Sequence, residues 1–558
     1  MKNLTFLFLF FIMAELSSCA TMQLPKNYSL ITTNIISQDG TALGTDIYLP
    51  KKKGKIPCVL ARTPYDKNTD TVMPLIMPFL NEGFAVVVQD CRGRLTSGGD
   101  FFPFVNERKD GLDTVKWIRK QKWSNGKISG FGGSYSGYTQ IAIADVLDFA
   151  TLHVAAGNIY KVIYVYGIFS PKTVFSWGFM MDKPEKEYDV NNAYKILPLS
   201  DASIKSYGKT NKFIDEYLKH ESYDDFWKKQ NYSKFIKCPA LFMAGWYDMF
   251  LGPQFEDFLA LDEKTSKNCR MIVGPWCHGT QVLEKNYGGE EKTGNRDQIN
   301  NQCVIAELKG EKINKFFVAP YKNTKYNLFI MERNEYVGSE VWPPKETKFT
   351  KFYFHNKKQL STKIQQKNDV LKYTYNPTDP FPSLGGNIFG ENVGPADQSS
   401  TTSRTDQLIF DMRIKNKPLT LLGPISAELF VETDAKETDF FVSIQDVFPK
   451  GPIVNIQTGG TKFIPKNKNK TQKLKIKIWP TGYQINPGHK LRIVITSSGF
   501  PAYNRNLNTG EPIYSAKRMA KAKQKIFIGD KFPSSITLPV YTNFSMYIQQ
   551  YHFYEIYR

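Results

Sequence analysis

Histidine and cysteine are both scarce in this chain, six and seven residues among 558. So few imidazoles make the search for a general base short. The absence of any C-x-x-C pair removes thiolate metal cages from consideration. Repeats at solenoid periods and long low-complexity tracts are also missing, so neither a repeat scaffold nor a disordered chain fits. Beyond the first twenty residues, no apolar run reaches bilayer-spanning length without a charge. Acidic residues are outnumbered, 53 Asp and Glu against 73 Lys and Arg, for a net charge of +20. The excess is spread rather than focused. Its densest run, Lys466, Lys468, Lys470, Lys473, Lys475 and Lys477, alternates with polar and apolar residues, as one solvated face of a strand does. No zinc-finger, recognition-helix or RNA-binding signature accompanies it, so no nucleic-acid partner is expected.

What is present begins with a targeting segment. Met1-Lys2 supplies a positive start, Leu4 to Ala14 is nearly continuous apolar sequence, and Leu16-Ser17-Ser18-Cys19 follows. The run is short for a membrane span and reads as a signal peptide, so residues 1–19 are set apart from the fold. Leu-Ser-Ser-Cys resembles a bacterial lipobox, which implies lipidation of Cys19 and membrane anchoring through it. Glu15 is out of character there, and ordinary cleavage near Ala20 is the alternative. Either way the expected setting is secreted or periplasmic, with an envelope anchor if Cys19 is lipidated. Six cysteines remain, Cys58, Cys91, Cys238, Cys269, Cys277 and Cys303. An oxidising compartment leads us to expect one or two disulfides among them, with the pairing open.

With 41% hydrophobic and 14% aromatic residues, the chain can bury a large core and form more than one domain. Pro57–Arg62, Phe84–Asp90, Lys127–Phe131, Pro239–Gly245 and Met271–Gly274 are apolar, β-rich runs separated by helical stretches. That alternation predicts a parallel sheet covered on both faces. We place this α/β domain at 25–155 and 236–325. Residues 156–235 interrupt it with Phe169, Phe175, Trp177, Phe179, Met180 and Met181 and then charged helical stretches, which predicts a helical cap. The aromatic stripe is read first as cap core, and second as a lid over a site. Pro343-Pro344 and the Pro/Gly-rich loop 376–386 precede closely spaced alternating strands, among them Ala427–Val431, Asp439–Ile444, Lys473–Ile478 and Leu491–Ile495. These predict an all-β jelly roll or sandwich over 345–558.

The sharpest chemical signal is Gly130-Phe131-Gly132-Gly133-Ser134-Tyr135-Ser136-Gly137, with a strand before it and an apparent helix after it. A nucleophile elbow needs that context, because the strained turn at Ser134 requires small neighbours. Gly132 and Ser136 supply them, and the second Gly comes one place late, at Gly137. Serine needs a base. His220 falls in the cap, and His355, His489 and His552 in the β-rich part. His153, in an apolar run, reads as a buried structural residue. His278, just past an apparent strand, remains. Asp248, just past the strand 239–245, lies between Ser134 and His278 in the order Ser…Asp…His and is the candidate to orient the imidazole.

Those motifs carry a resemblance to the CocE/NonD serine hydrolases, the family of cocaine esterase, glutaryl acylase, α-amino acid ester hydrolase and Xaa-Pro dipeptidyl-peptidase. Gly132-Gly133-Ser134-Tyr135-Ser136-Gly137 is similar to its G-x-S-Y-x-G elbow. Gly245-Trp246-Tyr247-Asp248 and Gly274-Pro275-Trp276-Cys277-His278 resemble its acid and histidine motifs. Arg62-Thr63-Pro64-Tyr65-Asp66-Lys67 resembles the segment whose tyrosine completes the oxyanion hole, and Gln89 to Gly99 the loop after it. The resemblance implies an α/β-hydrolase domain with a helical cap insertion and a C-terminal jelly roll. It implies catalysis by Ser134, His278 and Asp248, with the Tyr65 hydroxyl and the Tyr135 backbone N–H binding the oxyanion, and no metal or organic cofactor. The expected substrate is a small-molecule ester, an amide or a short peptide, cleaved through an acyl-enzyme on Ser134.

One departure narrows this reading. The α-amino acid ester hydrolase branch carries two carboxylates soon after the triad Asp, whereas Asp248 is followed by Met249, Phe250 and Leu251. An apolar acyl or leaving group fits better, unless Asp224 and Asp225 supply a carboxylate from elsewhere. The alternative from another class is an inactive cell-surface binding protein that uses its jelly roll. Homo-oligomer formation is left open.

Overall fold

The computed structural model describes residues 24–182, 189–281, 283, 285–467 and 470–542. The signal segment with Cys19, Lys468 and His552 lie outside these. Strands β1 (Tyr28–Ile36) and β2 (Ala42–Pro50) form an antiparallel hairpin at one edge of the first sheet. β2 pairs antiparallel with β4 (Ala85–Asp90), which runs parallel to β3 (Ile56–Thr63), and β3 runs parallel to β5 (Ser124–Gly130). β6 (Ala150–His153) continues from β5 through the bridges Ser129–Phe149 and Gly133–His153. The cap carries the short hairpin β7 (Tyr164–Val165) and β8 (Ile168–Phe169). Parallel strands β9 (Ala240–Tyr247), β10 (Arg270–Gln281) and β11 (Tyr326–Ile330) extend the sheet to the antiparallel edge β12 (Glu335–Ser339). Every residue of β4, β6 and β9 is buried, because helices cover both faces.

Between β6 and β9 the chain forms the cap, with helices at Tyr160–Ile163, Pro171–Asp182, Val190–Ala193, Ala202–Tyr207, Lys212–Lys219 and Asp225–Lys229. Phe169, Phe175, Phe179 and Met181 are fully buried inside it, as a core stripe should be. After β12 the regular structure among the described residues is strand, apart from one short helical turn at Ser399–Thr401. The long strand Leu419–Thr433 pairs antiparallel with Gln472–Ile485, Ala522–Ile528 and Ser535–Tyr541. On Gln472–Ile485, Lys473, Lys475 and Lys477 are exposed while Ile476 and Ile478 are buried, which gives the basic run the solvated face its spacing predicts.

Two expectations need correction. Cys58, Cys91, Cys238, Cys269, Cys277 and Cys303 are all free thiols, so no disulfide forms among the described residues. Cys58 sits inside β3 and Cys303 inside the helix Arg296–Lys309, where the surrounding backbone is already fixed by its own ladder or turns. The other correction concerns β10. It does not stop at Gly274 but passes a bulge between Gly274 and Cys277 and runs on to Gln281. Beyond the bulge its new neighbour is a strand from the Pro/Gly-rich region, Phe389–Val393, with His278 paired to Phe389 and Gly279 to Gly390. A strand from the region assigned to the C-terminal domain therefore adds to the hydrolase sheet.

Candidate active site

Ser134 stands between β5 and the helix Tyr135–Ile141 with φ 55° and ψ −125°, outside the regions that L-residues favour. Its N–H donates to the His153 carbonyl at 2.9 Å, which pins the turn to β6. The small neighbours have measurable reasons. A Cβ on Gly132 would stand 2.7 Å from Ser136 Cβ, and one on Gly137 would stand 2.5 Å from Ala155 Cβ. The late glycine is thus required by contact of the helix with the chain after β6.

Ser134 Oγ lies 3.1 Å from His278 Nε2, and His278 Nδ1 lies 2.8 Å from Asp248 Oδ2. The carboxylate requires the proton on Nδ1, which leaves Nε2 to accept from the serine. The other oxygen, Asp248 Oδ1, accepts the Phe250 N–H at 2.8 Å, and the side chain is fully buried. The imidazole sits between two rings, with Phe250 at 5.5 Å and Phe389 at 5.6 Å between centroids. All three predicted triad residues therefore converge.

The two predicted oxyanion donors converge as well. Burial pushes the Tyr65 phenol above its ordinary range, countered by hydrogen bonds that its oxygen shares with the Trp177 indole, the Ser134 hydroxyl and the Tyr135 backbone N–H. Trp177 is the cap residue that sequence reasoning left in the core stripe. Its ring stacks over Tyr135 at 6.0 Å, and its indole lies beside the phenol and opposes the upward shift. The loop bearing Tyr65 is tied to the cap by Arg94, whose Nε donates to the Pro64 carbonyl and whose guanidinium also donates to the Met181 carbonyl, each at 2.8 Å.

Behind the elbow, the Tyr135 hydroxyl donates to Glu107 at 2.7 Å, and Glu107 pairs with the buried Arg62 at 3.2 Å. This pair anchors the side chain of Tyr135, whose backbone N–H is the expected oxyanion donor. The other histidines among the described residues are placed differently. His153 is buried, and desolvation lowers its pKa to about 3, so it stays neutral, as its apolar surroundings predict. His220 meets Asp224 at 2.6 Å, His489 meets Asp446 at 2.9 Å, and His355 meets the Lys363 carbonyl at 2.8 Å. Asp224 also caps the helix Asp225–Lys229, while Asp225 pairs with Lys228 at 2.9 Å.

Comparison with known proteins matches residues 39–280 to the X-Pro dipeptidyl-peptidase (S15 family) model, and residues 322–537 to the X-Pro dipeptidyl-peptidase C-terminal non-catalytic domain. Cocaine esterase from Rhodococcus sp. (strain MB1 Bresler) is 30% identical, with 92% of this chain and 99% of that protein covered. Among solved structures, an aminopeptidase from a marine sediment Thaumarchaeota archaeon superposes with a TM-score of 0.78 at 22% identity, covering 94% of this chain and 99% of that one. An α-amino acid ester hydrolase gives 0.76 at 21% identity, covering 92% and 97%. These two likenesses speak to the fold: an α/β-hydrolase-type catalytic domain followed by an all-β domain. The binding-protein alternative gives way to an enzyme. On its family models and its 30% identity to cocaine esterase, this chain belongs to the CocE/NonD family of serine hydrolases, which cleave ester and amide bonds.

Proposed function

We propose that Ser134, His278 and Asp248 act as the triad of an esterase that accepts substrates with an apolar, aromatic-sized acyl group. The observation that carries this reading is the unbroken hydrogen-bond chain from Ser134 Oγ through the imidazole to a buried carboxylate. Ser134 Oγ attacks the acyl carbon as its proton passes to His278 Nε2. The carbonyl oxygen becomes an oxyanion, held by the Tyr135 N–H and the Tyr65 hydroxyl. Collapse of the tetrahedral intermediate expels the alcohol or amine, which takes the proton from His278 and leaves an acyl group on Ser134. A water activated by the same imidazole then releases the acid. Asp248 orients the ring and stabilises its cationic form.

Phe250, Phe389 and Trp177 around the reacting atoms favour an apolar acyl group. A dipeptidyl-peptidase needs a carboxylate for the free ammonium of its substrate. The two carboxylates that might have served, Asp224 and Asp225, are committed to His220 and Lys228 within the cap. The 30% identical relative is itself named an esterase.

A fluorophosphonate probe and a panel of acyl esters and aminoacyl amides test the proposal on the wild type and Ser134→Ala. The expected result is an adduct on Ser134, absent in the variant, with aromatic acyl esters turned over fastest. An adduct that persists in Ser134→Ala would refute the nucleophile. Preference for aminoacyl amides would refute the acyl class. On the lipobox-like sequence alone, we further propose export and lipid anchoring through Cys19. Mass spectrometry of the N-terminal peptide checks this, and an unmodified Cys19 in the mature protein would sink it.

A further inference from the structure

The strand end that carries Asp248 is short of a hydrogen-bond donor. β9 and β10 pair regularly from Arg270–Leu241 to Gly274–Gly245. The bulge then skips Pro275 and Trp276 before pairing resumes at Cys277–Tyr247. The register shift takes Trp276 off the ladder position from which its N–H would meet the Trp246 carbonyl. The same bulge swings His278 toward Ser134. A buried carbonyl seeks another donor.

Asn387 supplies it. Its Nδ2 donates to the Trp246 carbonyl at 2.8 Å and to the Asp248 carbonyl at 3.2 Å, bridging the 246–247 and 248–249 peptides. Asn387 lies in the C-terminal part of the chain, in the segment Gly385-Gly386-Asn387-Ile388-Phe389-Gly390. Two residues on, Phe389 pairs with His278 in the sheet, so one short stretch of backbone holds both partners of the His278–Asp248 hydrogen bond.

That stretch is rigidly mounted. Gly386 and Gly394 exchange backbone hydrogen bonds at 2.7 and 3.0 Å. The Ala396 N–H donates to Asn455 Oδ1 at 2.7 Å, and the Ile453 N–H donates to Asp397 Oδ1 at 2.9 Å, fastening it to the β-domain. From the same domain, the Asn455 carbonyl accepts the Tyr247 hydroxyl at 2.8 Å.

We propose that Asn387 is a positioning residue for the reaction: it sets the Asp248 backbone so that the carboxylate meets His278 Nδ1. The β-domain, whose family model is described as non-catalytic, is therefore part of the hydrolytic machinery. This rests on the triad reading above. Asn387 touches neither substrate nor reacting atoms, so its loss should appear in kcat and spare KM. Misplacement on this scale costs up to about 100-fold.

The test compares Asn387→Leu, which keeps the shape and removes the donor, with Asn387→Ala, in the full-length protein. Tyr166→Phe is the control. It removes two cap-to-β-domain hydrogen bonds, from Tyr166 to the Thr458 carbonyl and from the Trp479 N–H to Tyr166, beside Ile388 but without touching the Asn387 contacts to Trp246 and Asp248. Kinetics are referred to the folded fraction at each temperature, and the rate of Ser134 phosphonylation is measured alongside. The expected result is a fall in kcat of about 10- to 100-fold for both Asn387 variants. Phosphonylation should slow in parallel, with KM within about twofold and Tyr166→Phe unchanged. Wild-type kcat in Asn387→Leu, or a loss in Tyr166→Phe as large as in Asn387→Leu, would overturn the proposal. So would activity that merely tracks a lowered Tm. Failure of the triad reading is distinguishable, because it shows as turnover retained in Ser134→Ala.

Discussion

The hydrolase sheet and the elements that close over it build one site by different rules. Ser134 and Asp248 follow strand ends and His278 lies in β10 beyond its bulge, where the parallel sheet fixes the backbone in the chain order Ser, Asp, His. Trp177 arrives from a cap helix, Phe389 from the strand Phe389–Val393 that joins β10, and Asn387 from the turn just before that strand. Each acts on a triad or oxyanion group rather than on the chemistry itself. The sheet supplies the reacting groups, and the other two regions hold them in register. If that division is right, substitutions on the sheet should abolish turnover and substitutions outside it should scale it.

The largest test of the contrast is Asp248→Asn. It keeps the shape and reverses the hydrogen-bonding requirement at His278 Nδ1, and kcat should fall by about 10⁴-fold with the fold intact. A loss under tenfold by stopped-flow acyl-ester kinetics would break the comparison at its strong end. Next is Tyr65→Phe, which removes one oxyanion donor and leaves the ring. We expect a fall of about 10²- to 10³-fold in kcat with little change in KM. Trp177→Phe keeps an aromatic ring on Tyr135 but withdraws the N–H from the Tyr65 phenol. A neutral hydrogen bond of about 1 kcal/mol predicts a loss of roughly fivefold. In a Tyr65→Phe background the same change should cost nothing further, and a double-mutant cycle showing additivity would put Trp177 to some other use.

The smallest effect concerns stability rather than turnover. Asp439, in the β-domain, is buried and accepts from Asn506 at 2.9 Å, and desolvation raises its carboxyl to about 7. A raised carboxyl pKa means that the fold prefers the protonated form. Its stabilising contribution is whole below the ordinary pKa of about 4 and is gone once the pH passes about 7. Asp439→Asn should therefore flatten the fall in Tm between pH 4.5 and 7.5 by a few degrees, without changing kcat. Equal slopes in thermal melts of the two proteins would contradict this.

The triad was legible because its signals are local and ordered: a tight Gly/Ser turn between strand and helix, an Asp past one apolar strand, and one suitable His past the next. Tyr65 was legible only through family resemblance, since a tyrosine after a strand has no pattern of its own. The cap helix Pro171–Asp182 shows why Trp177 was harder. Spacing identifies a buried face, but Phe175, Phe179 and Met181 fill the cap core while Trp177 reaches past it toward Tyr65. Asn387 and Phe389 sit just past the Pro/Gly-rich loop 376–386, where no motif marks them, and their partners are more than 100 residues away in sequence. The β10 bulge that creates the need for Asn387 is a tertiary event, marked in sequence only by Pro275.

Arg94 carries one more consequence. A single guanidinium grips the carbonyl just ahead of Tyr65 and a carbonyl near the end of the cap helix. A swing of that helix outward would tug on the residue preceding the oxyanion donor. Admission of substrate and readiness to react then share one mechanical linkage, and an open cap would leave the electrophile without its cradle.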